Sequence, residues 1–153
     1  DFFESVAVAF HRDDPGVEQK RMEVDRVRCI QLLYHAIARG AFSEALELTT
    51  DDFVLEIFGP EDHPMRGRWE GREEVLAAMQ HNFALVAEQR PQVQSLVAQG
   101  NLVVIIAREQ GIIRATGARY DVQWVQEFTF ANGRVSQVRE FIDGGANMEF
   151  GPA

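Results

Sequence analysis

The chain has 153 residues, of which 46% are hydrophobic and 25% charged, proportions typical of one soluble globular domain with a substantial core. Its net charge of -9 argues against nucleic acid and anionic membranes as partners, because both require a basic surface. No stretch approaches the roughly 20 apolar residues of a membrane span, and the N-terminal residues lack a basic leader, so we expect neither an anchor nor a signal peptide. Cys29 is the single cysteine, which favours a reducing, cytoplasmic location and a packing role for its thiol.

The first part of the chain predicts helices. Residues 1–18 form an apolar lead-in, broken by Pro and Gly, that either covers the core or contacts a second subunit. A helical period then runs from Val17 to Arg39 and ends at Gly40, and Ser43 is predicted to N-cap a short second helix. The apolar stripe of the long helix comprises Val27, Ile30, Tyr34, Ile37 and Ala41.

A strand, a loop and a third helix follow. Phe53 to Phe58 has the composition of a strand, and Gly59 to Gly71 reads as a loop rich in Gly and Pro. The third helix opens at Gly71 and is predicted to end near Arg90–Pro91. Its core stripe comprises Val75, Leu76, Met79, Phe83 and Val86.

The remaining elements predict three or four antiparallel strands. Strands are expected over Val93–Ala98 and Leu102–Gln110, and Arg119–Asp143 forms a long hairpin. Because Leu102–Ile106 is apolar at both parities, that strand is expected to be covered on both faces. Helices followed by such strands predict an α+β fold. We expect a curved, mixed, mainly antiparallel sheet wrapped around the long helix as a cone with one open pocket.

We interpret residues 1–153 as one domain with its core at about 24–143 and a tail at 144–153. The tail is expected to be short, although Met148 and Phe150 have the apolar character to pack.

The turn of the hairpin has two alternatives. A two-residue Asn132–Gly133 turn pairs Ala131 with Arg134, whereas a three-residue loop with a bulge at Gly133 pairs Phe130 with Arg134. A one-residue difference reverses every side chain of the second strand. The three-residue loop places Glu140 on the apolar face that carries Trp124 and Gln126, and the two-residue turn places it on the outer face.

Several short motifs together resemble a known superfamily. They are Leu48–Asp52 before a strand, Gly71–Val75 opening a helix, Thr116–Tyr120, Asn132–Val135 and Arg139–Asp143. Their order and spacing resemble the SnoaL-like and ketosteroid-isomerase-like proteins of the nuclear-transport-factor-two-like fold. The resemblance covers about Val24 to Asp143 and also favours the hairpin with the bulge.

The resemblance implies candidate catalytic residues. Arg139–Asp143 is similar to the run of the related epoxide hydrolases whose first acid is catalytic, which implies Glu140 as acid/base. It also implies Tyr34 and Gln126 as groups that orient a polar substituent, although a core Tyr bonded to a carbonyl is an equal alternative. Arg108 is the fourth candidate, and whether Arg108 or Glu109 faces the cavity stays open.

The implied ligand is a small apolar molecule, bound without a cofactor. The implied wall comprises Leu55, Ile57, Met79, Phe83, Trp124, Phe128, Val138 and Ile142. Isomerase, lyase or hydrolase chemistry fits such a site, and a non-catalytic binding or dimerisation module of the same fold is the alternative. The resemblance further implies a homodimer through the outer sheet face.

Other polar residues carry weaker signals. Ile57 occupies the position of the isomerase base, and only a bulge would turn Glu56 inward in its place. His81 lies off the apolar stripe of its helix and is expected on a solvated face. His63 is either a surface loop residue or a group that closes over the pocket. The histidines are dispersed without ligand spacing, so we expect no metal.

Overall fold

The structure of the chain is a computed structural model that describes residues 15–143 and 148–151. The predicted lead-in at residues 1–14 and the tail residues 144–147, 152 and 153 lie outside the described residues. The elements are α1 (Pro15–Ala38), α2 (Phe42–Leu46), β1 (Thr49–Phe58), β2 (Gly67–Glu70), α3 (Arg72–Ala84), β3 (Val86–Gln99), β4 (Leu102–Ile113), β5 (Arg119–Ala131) and β6 (Arg134–Ile142). None of the described helices combines the length and the apolar character that a membrane crossing requires.

The six strands form one sheet in the order β2-β1-β6-β5-β4-β3. β1 and β6 pair in parallel and every other neighbouring pair is antiparallel. The α+β class and the mainly antiparallel sheet predicted from the sequence are therefore confirmed. The parallel pair joins the first long strand to the last, and it thereby brings Ile57 opposite Glu140.

The core lies between α1 and the inner face of the sheet. Ile30 and Leu33 of α1 are buried in one cluster with Ile105 of β4 and Phe128 of β5. The period predicted from the sequence therefore finds the correct helix and its buried face. Arg26, near the middle of α1, adds a polar contact, with its guanidinium 5.9 Å from the centre of the Phe130 ring.

The boundary between α3 and β3 differs from the prediction. α3 ends at Ala84 and β3 starts at Val86, so the Arg90–Pro91 pair lies inside a strand rather than at a helix end. β3 is the edge of the sheet, where a residue without a backbone N–H is tolerated. The strand is irregular between Ala87 and Arg90, where Glu88 has a φ of 51°. A bulged edge strand thus replaces the predicted last turn of the helix.

Three smaller predictions also need correction. The predicted loop after β1 contains β2, and α2 starts at Phe42 with no side-chain cap, so Ser43 is not its N-cap. β4 is covered on one face only: Val103 is fully buried, whereas Ile106 is 38% exposed. The apolar residues of β4 that caused the wrong prediction point to the outer face, and no described residue covers that face.

Candidate functional site

The hairpin between β5 and β6 combines features of both alternatives. Asn132 and Gly133 form a two-residue turn with φ values of 54° and 75°, and Ala131 pairs with Arg134. The register then shifts, because Phe130 pairs with Val135 and Thr129 with Gln137. The extra residue in this bulge is Ser136, whose hydroxyl donates to the Thr129 carbonyl at 3.1 Å.

The bulge decides the face of Glu140. Beyond it Gln126 pairs with Glu140 and Trp124 with Ile142, so these side chains share the inner face with the buried Phe128. The predicted three-residue loop is wrong, but the face that it implied for Glu140 is the observed one. A tight turn followed by a bulge produces the same one-residue offset as a longer loop.

Three candidate residues form a continuous hydrogen-bonded chain on this face. The Tyr34 hydroxyl of α1 donates to Oε1 of Gln126, and Nε2 of Gln126 donates to Oε1 of Glu140 at 3.1 Å. The Tyr34 ring also stands edge-on to Phe128, with the ring centres 6.1 Å apart. The long helix and the two central strands therefore place Tyr34, Gln126 and Glu140 in one network.

The surroundings of this network perturb its acidic groups. Burial raises the pKa of Glu140 to about 7, the hydrogen bond from Gln126 opposes that rise, and the charge of Glu109 adds to it. Burial also raises the pKa of the Tyr34 hydroxyl well above its ordinary value, and the Glu140 charge acts in the same direction. At neutral pH, Glu140 can therefore either release or accept a proton, whereas Tyr34 stays protonated.

A second carboxyl group, that of Glu109, lies on the inner face. The sequence left open whether Glu109 or Arg108 points to this face. Glu109 follows the buried Ala107 by two residues, and its Oε2 accepts from the Tyr120 hydroxyl at 2.6 Å and from Nε2 of Gln89 at 3.4 Å. Burial and the hydrogen bond to Glu109 raise the pKa of Tyr120. Both tyrosines of the chain thus belong to inner-face networks that end on a carboxyl group.

Arg108 is not part of this arrangement, and its predicted place at the site needs correction. Its guanidinium donates from Nε to Oδ1 of Asp121 at 2.7 Å and from a terminal nitrogen to the other Asp121 oxygen, on the exposed outer face. Strand alternation explains the error, since Ala107 and Glu109 point inward and Arg108 points outward. Because the residues before Arg108 are apolar on both faces of the strand, the sequence alone does not show this alternation.

The predicted wall residues are all at least partly buried. Ile57, Met79, Trp124, Phe128 and Val138 are buried, and Leu55, Phe83 and Ile142 are partly buried. Ile57 lies opposite Glu140 and Leu55 opposite Val138 along the parallel pair. Phe83 packs against the same core cluster, and its ring also contacts Phe42, with the ring centres 5.1 Å apart, between α3 and α2.

Three minor candidates are also placed. Glu56 lies opposite Arg139 in a regular part of β1, on the side away from Ile57, so no bulge turns it inward. His81 is exposed, as predicted for a solvated helix face. His63 is partly buried, and its ring stands edge-on to Phe150 with the centres 5.2 Å apart, so it is not a free surface residue.

Two recesses on the structure lie away from Glu140. Among the described residues, one recess of about 220 Å³ lies at the ends of β3, β4 and β5 near Arg90 and Arg119, and one of about 390 Å³ lies beside the Asn132 turn. Neither is lined by Glu140. Residues 15–143 and 148–151 also contain no cluster of three or more potential metal ligands. The open pocket and the absence of a metal therefore stay predictions.

Sequence comparison supplies the family. The model of the SnoaL-like domain family matches residues 30–138, which is more than half of the chain and includes Tyr34, Gln126 and the first part of β6. The chain belongs to the SnoaL-like domain family. No curated protein matches this SnoaL-like chain significantly.

Solved structures agree with this family at the level of the fold. A candidate SnoaL-like polyketide cyclase from Jannaschia sp. CCS1 aligns with a TM-score of 0.70 at 23% identity, over 88% of this chain and 92% of its own. A candidate isomerase from Rhodopseudomonas palustris aligns with a TM-score of 0.67 at 22% identity, over 78% of this chain and 90% of its own. An NTF2-like protein from Burkholderia xenovorans LB400 gives 0.67 at 23% identity, over 78% and 89%. These likenesses show the NTF2-like fold alone.

Proposed function

We propose that this SnoaL-like protein is a cofactor-free enzyme that moves a proton on a small apolar organic molecule, with Glu140 as the acid/base group. The observation that carries the proposal is the Tyr34–Gln126–Glu140 chain, which ends on a carboxyl group with a pKa of about 7. A group that titrates near the working pH is the most effective general acid or base. Isomerase, lyase and hydrolase reactions all include such a step.

The geometry supports a different role for each residue of this hydrogen-bonded network. Gln126 donates to Oε1 of Glu140, which leaves Oε2 without a recorded partner among the described residues and available to a substrate. The hydroxyl proton of Tyr34 is directed at Gln126, so Tyr34 orients the amide instead of binding the substrate. Glu140 is therefore the proposed catalytic residue, and Tyr34 and Gln126 are positioning residues.

The surrounding side chains suggest the class of substrate. Ile57, Trp124 and Val138 on the inner face are apolar and buried, so they favour a hydrophobic ring system over a charged metabolite. The names of the neighbouring structures, a candidate polyketide cyclase and a candidate isomerase, are in line with this class.

The single, partly buried Cys29, whose thiol pKa is raised by burial, is consistent with a cytoplasmic location.

The alternative function is a non-catalytic binding or dimerisation module. The observation in its favour is the outer face of the sheet, where Val97 is 63% exposed and Ile106 and Phe141 are each 38% exposed. Phe58 stacks on Phe141 at 4.8 Å beside them. Such a patch is typical of an interaction surface. We propose that it forms a homodimer, which is compatible with either function.

Proton exchange tests the enzyme proposal without knowledge of the natural substrate. The protein is incubated in D₂O at pH 7 with enolisable ketones such as 1-indanone, and loss of the C2 proton signal is followed by NMR. Glu140→Gln keeps the shape and a hydrogen-bonding oxygen but removes the titrating group, so it should slow exchange at least about a hundredfold. Glu56→Gln makes the same change on the outer face and should exchange at the wild-type rate.

Two results would reject the enzyme proposal. One is an equal exchange rate for Glu140→Gln and the wild type. The other is no exchange above buffer with any ligand found in an unbiased thermal-shift screen, which would favour the binding module.

A further inference from the structure

His63 is held in a partly buried position in the segment between β1 and β2. Its ring stands edge-on to Phe150 with the centres 5.2 Å apart. It also packs over Gly59, where an added Cβ would lie 3.6 Å from the His63 Cβ and 3.9 Å from the Ile142 Cβ. His63 is therefore fixed between the end of β6 and the described part of the tail.

The hydrogen bonds of the ring determine which nitrogen carries the proton. The backbone N–H of Met65 donates to Nδ1 of His63 at 3.2 Å, so Nδ1 is the acceptor and the neutral ring carries its proton on Nε2. Burial lowers the pKa of His63 and outweighs the opposing effect of Asp62, which keeps the ring neutral at pH 7. Nε2–H is thus a hydrogen-bond donor in the resting protein.

This donor is buried and has no partner among the described residues. Leaving a buried polar group unsatisfied costs roughly 1–3 kcal/mol, and few such groups persist in folded proteins without a reason. A ligand that supplies an acceptor atom would remove that cost. The orphaned nitrogen therefore points to a missing partner.

The strand register places His63 close to the proposed catalytic group. Gly59 follows Ile57 by two residues, and Ile57 lies opposite Glu140. Ile142 follows Glu140 by two residues on the inner face, and two residues of a strand span roughly 7 Å. His63 therefore lies at the end of the face that carries Glu140, beside positions that are two residues further along β1 and β6.

We propose that His63 is a ligand-binding residue whose Nε2–H donates to an oxygen, in the form of a carbonyl or a carboxylate, on a ligand with an apolar body. Phe150, whose ring contacts that of His63, would contact that body. This deepens the proposed function, and rests on it, by placing the ligand oxygen next to the carbon that faces Glu140. When the Glu140 carboxylate takes a proton from the carbon next to a ligand carbonyl, the C–H electron pair forms the enolate C=C bond and the C=O π pair moves onto the oxygen, to which Nε2–H donates.

The test compares two probes that differ in one oxygen. 1-Indanone carries a carbonyl acceptor and indane does not, and both are titrated into protein with ¹⁵N-labelled histidine. We expect His63 to show the Nε2–H tautomer and its Nε2 signal to shift with 1-indanone but not with indane. His63→Phe should weaken the binding of 1-indanone roughly five- to tenfold and leave indane unchanged, since one neutral hydrogen bond is lost. His63→Gln, which keeps a donor, should retain most of the affinity.

The outcomes separate this inference from the enzyme proposal, because binding and not proton exchange is measured. A protein that binds 1-indanone through His63 but exchanges no proton supports the inference and rejects the chemistry. An Nε2 signal that is unchanged up to the solubility limit of 1-indanone overturns the inference, as does equal affinity of His63→Phe and the wild type. If His63→Phe does not fold, the Nε2 signal of the wild type and the affinity of His63→Gln decide.

Discussion

Two carboxyl groups on opposite faces of the sheet have pKa values that are shifted in opposite directions. On the outer face, hydrogen bonds from Arg108 and Gln110 lower the pKa of Asp121 to about 2. On the inner face, burial raises the pKa of Glu140 to about 7. An exposed carboxylate with an arginine partner is stabilised as an anion, whereas a buried one with only an amide donor is not. Burial on the inner face therefore allows Glu140 to exchange protons at neutral pH.

The largest effect on stability is expected from Glu140. Its pKa rises from 4.5 to about 7 on folding, so the folded state binds the extra proton between these values and loses stability as the pH rises through this range. A shift of this size corresponds to about 3 kcal/mol. Glu140→Gln should therefore be more stable than the wild type by about that amount at pH 8 and nearly equal to it at pH 4.5, as measured by urea denaturation.

Asp121→Asn provides the opposite control. The pKa of Asp121 is lowered in the folded state, so its contribution is present above pH 3.8 and is lost only as the pH falls toward 2. The difference between this variant and the wild type should therefore be constant from pH 5 to pH 8. A Glu140→Gln curve parallel to that of the wild type over this range would contradict the burial of Glu140.

A glycine tests how tightly the inner face is packed. A Cβ at Gly111 would lie 2.5 Å from the Tyr120 hydroxyl, which is held by Glu109. Gly111→Ala should therefore lower the free energy of unfolding by about 2 kcal/mol, the usual cost of overpacking. Gly59→Ala, whose Cβ would meet His63 at an ordinary 3.6 Å, should cost little. Thermal denaturation of both variants measures the difference, and equal melting temperatures would show that Tyr120 moves freely.

The outer face should control assembly with little effect on the fold. Ile106 is 38% exposed in the single chain, so Ile106→Glu should cost less than about 1 kcal/mol in the monomer but place a charge in the proposed dimer interface. Light scattering during size-exclusion chromatography should then show a dimer for the wild type and a monomer for the variant. Gln80→Glu adds the same charge at an exposed position of α3, away from the outer sheet face, and should stay dimeric. A monomeric wild type would remove the dimer proposal.

The smallest effect is expected at Arg108. Its side chain is paired with Asp121 on the outer face, away from Glu140. Arg108→Gln should leave proton exchange on 1-indanone within about twofold of the wild type, because exposed ion pairs contribute little. A large loss of exchange in the NMR assay would mean that Arg108 reaches the substrate, and the separation of the two faces would then be wrong.

The sequence was sufficient for the fold class because helical periodicity is local. Residue types left the turn at Asn132–Gly133 open between two alternatives, whereas the stripe on α1 follows from them alone. The Ser136 bulge does not, because it depends on how β6 fits between β5 and β1. Two compensating features, a shorter turn and a bulge, left Glu140 on the predicted face.

The errors at the site have a common physical origin. Arg108 and Glu109 could not be assigned to faces because the preceding apolar run fits both parities, and only pairing with β5 resolves them. His63 stayed open between a surface residue and a group over the pocket, because its contact with Phe150 spans more than 80 residues of sequence. Long-range packing of this kind leaves no local pattern in the chain.

The most direct test of the account is the titration of the Glu140 carboxyl group itself. The glutamate side-chain carboxyl carbons are labelled with ¹³C and followed by NMR from pH 4 to pH 9, and Glu140→Gln identifies the resonance. A midpoint near 7 for Glu140 is the predicted result. A midpoint near 4.5, the ordinary value for a solvated glutamate, would contradict the central claim.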